Sequence, residues 1–258
     1  AAAGRGHRLP GTPAAAPHEH PRVAQLRQAY QDALATAEHP PTSEQAGDQD
    51  SSAHRVNLTD PDSRLLKTRN GWVQGYNCQT ATSDDGFIIT ARATQDANDI
   101  AQFVPTAKAV QDIADQLAGH VPDRADDLTV GTMIGDAGYD SLANLTAPGP
   151  DRLIANATRR DLNHAATHDP ATGDPSEHAS PRERMDHRLR TDDGHALYTR
   201  RAPMVEAPNA WLKDRRGLRR FARRGLHAAQ AELSLAAAVT NLLKIATSGI
   251  TTAQIATA

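Results

Sequence analysis

The sequence predicts an α/β domain, and three observations support that prediction. A β-hairpin is indicated by two runs of strand-forming residues, 73–82 and 87–93, on either side of an Asp-Asp-Gly turn sequence. Residues 100–117 then place apolar side chains at helical spacing, which favours a long amphipathic helix. The apolar run 128–134 is β-rich and ends shortly before Asp136. Strands and helices that alternate in this way are typical of α/β folds.

The domain is expected to be preceded by flexible chain. Residues 1–56 have the composition of a tail and linker, and residues 1–21 in particular are rich in breakers and lack periodicity. One amphipathic helix is predicted within them, over residues 22–37. The domain itself is expected to span residues 57–247, and residues 248–258 are predicted to be a disordered tail.

Further elements follow the predicted strand at 128–134. A short helix is predicted at residues 141–145, a strand at 152–157 and a basic helix at 182–190. Residues 158–181 are polar and rich in Pro, His and Asp, so we expect an insertion loop there. Apolar residues at helical spacing predict a last amphipathic helix, and they are Leu226, Leu233, Leu235, Ala236, Val239, Leu242 and Leu243.

Composition limits the class of protein. The single cysteine, Cys78, excludes an intramolecular disulfide framework and is typical of a reducing, cytoplasmic environment. No apolar run approaches the ~20 residues that a membrane span requires, so no membrane association is expected.

Positive charge is concentrated in residues 198–225, here called the basic segment. It holds nine basic and two acidic residues, and its net charge of +7 stands against −10 for the rest of the chain. Such a patch is either a solvated face or a binding surface for a phosphate-rich polymer. The basic residues are Arg200, Arg201, Lys213, Arg215, Arg216, Arg219, Arg220, Arg223 and Arg224.

Two acidic residues are candidates for chemistry. Pro208 is tolerated in a first helical turn, so a helix is predicted to start near Val205 and to carry Glu206 and Lys213 on one face, seven residues apart. That would place a metal-binding carboxylate beside an ammonium group that neutralises phosphate. Asp136 follows a predicted strand and precedes a glycine turn, where a carboxylate either serves a site at the sheet edge or caps the next helix.

The spacing of these residues resembles a known signature. Tyr198, two residues, Arg201, then Glu206, six residues and Lys213 resemble the Tyr-Arg-Glu-Lys motif around the last catalytic acid of DDE transposases from bacterial insertion sequences. Four residues separate Arg201 from Glu206, where the usual motif has three. Residues 136–139, Asp-Ala-Gly-Tyr after an apolar strand, resemble the second catalytic acid of the same family.

The resemblance covers residues 55–246 and implies an RNase H-like mixed sheet flanked by helices. In that family three carboxylates hold two Mg²⁺ ions, with Mn²⁺ as an alternative, and the ions activate the attacking oxygen and stabilise the leaving oxygen. Asp136 and Glu206 would be two of the three catalytic, metal-binding acids. The implied partners are DNA, as element ends and target, and further copies of the chain in a homo-oligomer on DNA. The implied DNA-binding residues are Tyr198, Arg201, Lys213, Arg216, Arg219, Arg220, Arg223 and Arg224.

The first catalytic acid of the family has no clear counterpart. In the family it ends a strand upstream of a hairpin, and no such motif precedes Gly71. Asp60 and Asp62 lie in a turn-rich stretch without a preceding strand, and Asp99 falls on a predicted helix. We therefore expect the first strand and its acid to be missing from this chain. Whether the chain is catalytically active by itself is left open by the sequence.

Two functions follow from these observations. The chain is either the C-terminal catalytic portion of a DDE transposase or a truncated, catalytically inactive remnant that binds DNA through the same basic surface. A zinc-binding or purely structural protein has little support, because His164 and His168 are the one remaining pair with metal-like spacing and no cysteine accompanies them.

Overall fold

A computed structural model describes residues 21–38, 57–68 and 71–249, and its mixture of helices and small sheets confirms the α/β class. The predicted flexible tails fall largely outside these residues. The strands are β1 Arg64–Thr68, β2 Gly71–Gly75, β3 Asn77–Thr82, β4 Ile88–Thr94, β5 Met133–Gly135 and β6 Arg152–Ile154. The helices are α1 Pro21–Glu38, α2 Phe103–His120, α3 Leu142–Thr146, α4 Arg159–His168, α5 Pro181–Arg190, α6 Asp192–Thr199, α7 Arg201–Ala210 and α8 Leu226–Thr247.

The predicted hairpin is present as β3 and β4, which pair antiparallel from Asn77↔Thr94 onward. The predicted first strand, 73–82, is however two strands that separate at Tyr76. The Tyr76 ring is buried against Phe221 at 5.9 Å, and its hydroxyl donates to both oxygens of the Asp60 carboxylate at 2.8 Å. Tyr76 thus lies between β2, which pairs with β1, and β3, which pairs with β4.

The strands form three separate two-stranded sheets among the described residues, namely β1–β2, β3–β4 and a parallel pair, β5–β6. The continuous mixed sheet expected from the sequence is therefore not formed by these residues. The strand predicted at 128–134 is also shorter, because Pro122–Leu128 forms a 3₁₀ helix and β5 begins only at Met133.

Helix α8 covers the outer edge of β4. The Asn241 amide bonds both the N–H and the carbonyl of Ile88, each at 2.9 Å. Three helical turns earlier, the Gln230 amide bonds the Ala93 N–H and the Ala91 carbonyl at 2.7 and 2.8 Å. Side-chain amides thus satisfy backbone groups that an open strand edge would leave to another chain. The apolar core below consists of Ile88, Leu212, Leu233, Ala236 and Ala237.

A second core lies around β6 and corrects one prediction. Residues 158–181 were expected to be an insertion loop, but Arg159–His168 forms α4, and its Leu162 is 3% exposed in a cluster with Leu153 and Leu189. Thr158 caps this helix by accepting from the Asp161 N–H at 3.3 Å. One buried leucine and one cap order a helix whose other side chains are mostly polar. Residues 169–180 are irregular, as expected.

Helix α7 also begins earlier than predicted, because Pro208 is inside the helix and not in its first turn. A proline has no N–H to bond the carbonyl four residues before it, here that of Met204. The Thr82 hydroxyl donates to that carbonyl at 3.1 Å and so replaces the missing bond. After Pro208 the chain widens into a π-helix, Trp211–Arg215, with the Arg216 N–H bonded to the Trp211 carbonyl at 3.0 Å.

This replacement can be tested with a double-mutant cycle. We expect Thr82→Val to lower the free energy of unfolding by about 1 kcal/mol, because the Met204 carbonyl loses its donor. In a Pro208→Ala background the helix can supply that donor itself, so Thr82→Val should cost clearly less there. Urea denaturation of the four proteins measures both values. Equal costs in the two backgrounds would contradict the explanation.

Candidate functional site

Asp136 lies at the carboxyl end of β5. Its backbone is extended, and its Oδ1 accepts from the Gly138 N–H at 3.0 Å, which caps the 3₁₀ turn Ala137–Tyr139. The side chain is 47% exposed, so one oxygen is used for the cap while the group stays open to solvent. The two interpretations of this residue, a helix cap and a site carboxylate, are thus structurally compatible.

A second carboxylate, Asp99, lies beside Asp136. Its Oδ1 accepts from the Asn77 amide at 2.9 Å and from the Gln79 amide at 2.7 Å. A Cβ built on Gly138 would be 3.1 Å from the Asp136 Oδ1 and 3.4 Å from the Asp99 Oδ2, so the two carboxylates meet over one glycine. Asp99 was predicted to fall on a helix, and it immediately precedes the 3₁₀ turn Ile100–Gln102. Polar side chains at alternating positions of the preceding strand β3, Asn77 and Gln79, were the signal that could have found a partner for it.

Tyr139 connects this carboxylate pair to β3. Its hydroxyl donates a short hydrogen bond to Gln79 Oε1, the amide that itself donates to Asp99. Burial raises the pKa of Tyr139, and the negative charges of Asp99 and Asp136 raise it further, against the opposing charge of Arg201. Tyr139 therefore stays a hydrogen-bond donor across the physiological range.

Gly138 offers a direct test of the carboxylate juxtaposition. We expect Gly138→Ala to lower the free energy of unfolding by about 1 kcal/mol, because its Cβ would push against Asp136 and Asp99. Gly131→Ala is the matched control, since a Cβ there meets nothing within 4 Å. Thermal denaturation of both variants compares them. A Gly138→Ala protein as stable as the control would show that the two carboxylates lie farther apart.

Arg201 and Tyr198 are placed differently from the expectation that they contact DNA. Arg201 Nη1 lies 3.7 Å from Asp136 Oδ2, and its guanidinium stands 5.8 Å from the centre of the Tyr198 ring. Tyr198 itself is 5% exposed and packs in the core with Leu153 and Leu189. A buried ring cannot contact a DNA surface, so Tyr198 supports Arg201, which in turn neutralises Asp136.

Glu206 and Lys213 are both exposed. Within the part of the chain that the structure describes, the Glu206 carboxylate has neither a hydrogen bond nor an ion pair. Lys213 lies in the π-helix Trp211–Arg215. The prediction that Glu206 and Lys213 share a face assumed a regular α-helix, and the intervening π-turns change the angle between them.

The donor atoms near Asp136 are carboxylate oxygens, which suit Mg²⁺ or Mn²⁺. However, the described ranges contain no group of three His, Cys, Asp or Glu side chains placed to hold a metal ion. Carboxylate oxygens therefore suit the implied ions, but the described residues bring fewer than three such side chains together. His164 and His168 do face together, but their rings stack 4.1 Å apart instead of converging on a point.

Asp60 and Asp62 have a structural role that explains their position. Asp60 Oδ1 accepts from the Gly225 N–H at 2.9 Å, and Asp62 Oδ2 accepts from the Leu226 N–H at 3.0 Å. Both carboxylates thus satisfy the free N–H groups at the start of α8, where the helix dipole also favours negative charge. They are caps of α8.

The arginines at the end of the basic segment lie in an irregular stretch, residues 216–225, here called the arginine loop. Arg219 pairs with Asp214 at 2.5 Å and Arg223 with Glu232 at 3.4 Å. Arg220 and Arg224 are exposed and have no ion pair within the described residues. These two side chains are therefore the most available to an external anion.

The basic segment and the chain around it match a known protein family. Residues 166–246 match the family model of the transposase DDE domain. The resemblance to DDE transposases is confirmed over this segment. No curated protein and no solved structure matches the chain.

The transposase-like segment runs from the end of α4 to the last turn of α8. It contains Glu206, Lys213 and the arginine loop, whereas Asp136 and Asp99 precede it. Among the described residues, no helix is both long and apolar enough to cross a membrane.

Proposed function

We propose that this chain is the catalytic portion of a DNA transposase of a bacterial insertion sequence, which cleaves and transfers DNA strands with a divalent metal. The observation that carries the proposal is the match of residues 166–246 to the transposase DDE domain. The match includes Glu206 in the Tyr-Arg-Glu-Lys spacing, so the residue proposed as last catalytic acid lies inside it. The proposed setting is the cytoplasm, with the protein as a homo-oligomer on DNA.

DNA binding is proposed for the exposed face of the basic segment. Lys213, Arg220 and Arg224 are exposed, and each phosphate they neutralise would release a counterion. Arg216 adds a half-buried guanidinium whose Nε has no partner within the described residues. Cations without an acidic partner are available to contact phosphate oxygens. Arg219 and Arg223 would contribute after exchanging Asp214 and Glu232 for phosphate.

Asp136 and Glu206 are proposed as the catalytic, metal-binding acids of this chain. Bound Mg²⁺, or Mn²⁺ in its place, would supply activation of the attacking oxygen and charge stabilisation of the leaving oxygen. The chain's own contribution is to present Asp136 at a strand end and to hold the positive charge of Arg201 at 3.7 Å from it. Lys213 would neutralise a nearby phosphate.

We also propose that a further strand, from outside the described residues, completes an RNase H-like sheet. Both faces of strand β3 are in contact with other parts of the chain. Helix α7 lies on the face that carries Thr80 and Thr82, and Asp99 lies on the face that carries Asn77 and Gln79. Among the described strands, however, only β4 pairs with β3. The outer edge of β4 is closed by α8, so the free edge belongs to β3. The Tyr139–Gln79 bond brings the end of β5 close to β3. A strand inserted between them would carry the first acid next to Asp136.

The alternative is an inactive remnant that binds DNA, and one observation favours it. The described residues do not assemble three acidic or histidine side chains around one point. In-line phosphoryl transfer needs its ions and oxygens aligned, and loss of one ligand removes that alignment. DNA binding would survive such a loss.

The experiment that tests the proposal combines this chain, Mg²⁺ and DNA that carries candidate element ends. We expect binding that weakens with salt, with a log–log slope of about −0.9 per phosphate contact, and no strand cleavage by this chain alone. Cleavage that is lost in Glu206→Gln would instead show that this chain suffices for catalysis. Absent or salt-insensitive binding would contradict the DNA-binding function itself.

A further inference from the structure

The arginine loop has no regular secondary structure, yet carboxylates hold its backbone at Ala222, Arg223 and Gly225, and also hold Leu226 directly after it. Glu232 accepts from the Ala222 N–H through one carboxylate oxygen and from the Arg223 N–H through the other, both at 2.8 Å. The Gly225 and Leu226 N–H groups are bonded by Asp60 and Asp62, as described above. Three carboxylates from outside the loop therefore fix the backbone of its second half.

Apolar contacts hold the first half. Leu218 and Phe221 pack against the core of β4, α8 and the π-helix, and the Leu218 N–H bonds the Leu212 carbonyl at 3.0 Å. Phe221 also meets the ring of Tyr76 edge-on at 5.9 Å. Tyr76 is in turn bonded to Asp60, so the apolar and the carboxylate anchors belong to one assembly.

These contacts hold the backbone and the apolar side chains of the loop, and they do not engage the guanidinium groups of Arg220 and Arg224. Arg220 lies between Leu218 and Phe221, and Arg224 lies between the Glu232-bonded and Asp60-bonded amides. Both side chains are exposed and without an ion pair in the described residues. Because the loop is ordered before it meets a ligand, binding would not have to supply the entropy of ordering its backbone.

We infer that Glu232, Asp60 and Asp62 are positioning residues for DNA binding, which hold the arginine loop in a preordered conformation that presents Arg220 and Arg224 to the phosphate backbone. This inference rests on the proposed DNA-binding function. It has an unusual consequence, because these residues are themselves negatively charged. Coulomb's law alone predicts that removing an acid beside a basic loop strengthens binding to a polyanion, whereas the positioning role predicts that binding weakens.

Glu232 and Asp214 form a matched pair for the test. Each acid pairs with one arginine of the loop, Arg223 and Arg219, but among the bonds described only Glu232 also holds backbone N–H groups. We expect Glu232→Gln to weaken binding to a DNA duplex of random sequence about tenfold at 0.1 M salt, as loop order is lost. Asp214→Asn should leave the loop in place, release Arg219 and strengthen binding several-fold.

Amide hydrogen exchange of the full chain gives the second readout. The Ala222 and Arg223 amides should be protected in the wild type and in Asp214→Asn, and exposed in Glu232→Gln, while the α8 amides of residues 229–240 stay protected in all three. Should Glu232→Gln not fold, Asp62→Asn is expected to give the same weakening of DNA binding with exchange at Leu226. If the wild type binds DNA and Glu232→Gln binds it equally or more tightly, this inference is overturned and the proposed DNA-binding function is not. A wild-type chain without affinity for DNA would overturn the proposed function as well.

Discussion

Replacing Arg220 and Arg224 together by alanine is expected to weaken duplex DNA binding about 60-fold at 0.1 M salt. Each phosphate contact contributes a salt exponent of about 0.9, which corresponds to roughly 8-fold per contact at that concentration. Both guanidinium groups are exposed and lack an ion pair in the described part of the chain, so they can meet phosphate without first leaving an acidic partner. Fluorescence anisotropy over a range of salt concentrations measures the affinity and its slope.

The matched control is the double variant of the two paired arginines, Arg219→Ala with Arg223→Ala. These guanidinium groups are engaged with Asp214 and Glu232 at 2.5 and 3.4 Å, so their removal should weaken binding less and change the salt slope by less than two contacts. If the two double variants lose the same affinity, the distinction between free and paired cations has no functional meaning.

Leu153→Ala is expected to lower the free energy of unfolding by about 3–5 kcal/mol, the largest stability effect we predict. Leu153 is fully buried in β6, where Leu162 of α4, Leu189 of α5 and Tyr198 of α6 surround it. Three helices contribute side chains to this cluster, so we expect the space that the leucine leaves to persist as a cavity. Urea denaturation followed by circular dichroism gives the value.

Leu235→Ala is the control for that substitution. It removes the same atoms from α8, but this leucine is exposed, and the loss should stay below about 0.5 kcal/mol. Because the Leu153 cluster includes Tyr198 and underlies Arg201, we also expect Leu153→Ala to disturb the Arg201–Asp136 contact. A loss of less than 1 kcal/mol for Leu153→Ala would mean that β6 and the helices around it do not form one core.

Local patterns in the sequence predicted the elements that depend on local chemistry. The stripe of apolar residues predicted α2 and α8, and the Asp-Asp-Gly turn predicted the β3–β4 hairpin, because periodicity and turn composition act within a few residues. Helix α4 was missed for the converse reason. Its segment is polar, and one buried residue, Leu162, together with the Thr158 cap anchors it.

The site was predicted less completely, since its contacts join distant parts of the chain. Asp99 and Asp136 meet over Gly138 through tertiary packing that no spacing in the sequence encodes. Asp60 binds Gly225 across 165 positions, so its capping role was invisible before the fold was known. Tyr198 fitted a surface motif, yet the helix that carries it turns the ring into the core. Residue types were thus readable from the sequence, while their partners were not.

The central claim is that Asp136 and Glu206 serve one divalent cation, and a Mn²⁺ titration tests it most directly. Binding is followed by electron paramagnetic resonance for the wild type, Asp136→Asn, Glu206→Gln and Asp99→Asn, without DNA. We predict that Asp136→Asn and Glu206→Gln each weaken Mn²⁺ binding about tenfold or more, as expected when a carboxylate ligand is lost. Glu206→Gln with wild-type affinity, beside a loss in both Asp136→Asn and Asp99→Asn, would contradict the claim and assign the ion to the Asp99–Asp136 pair.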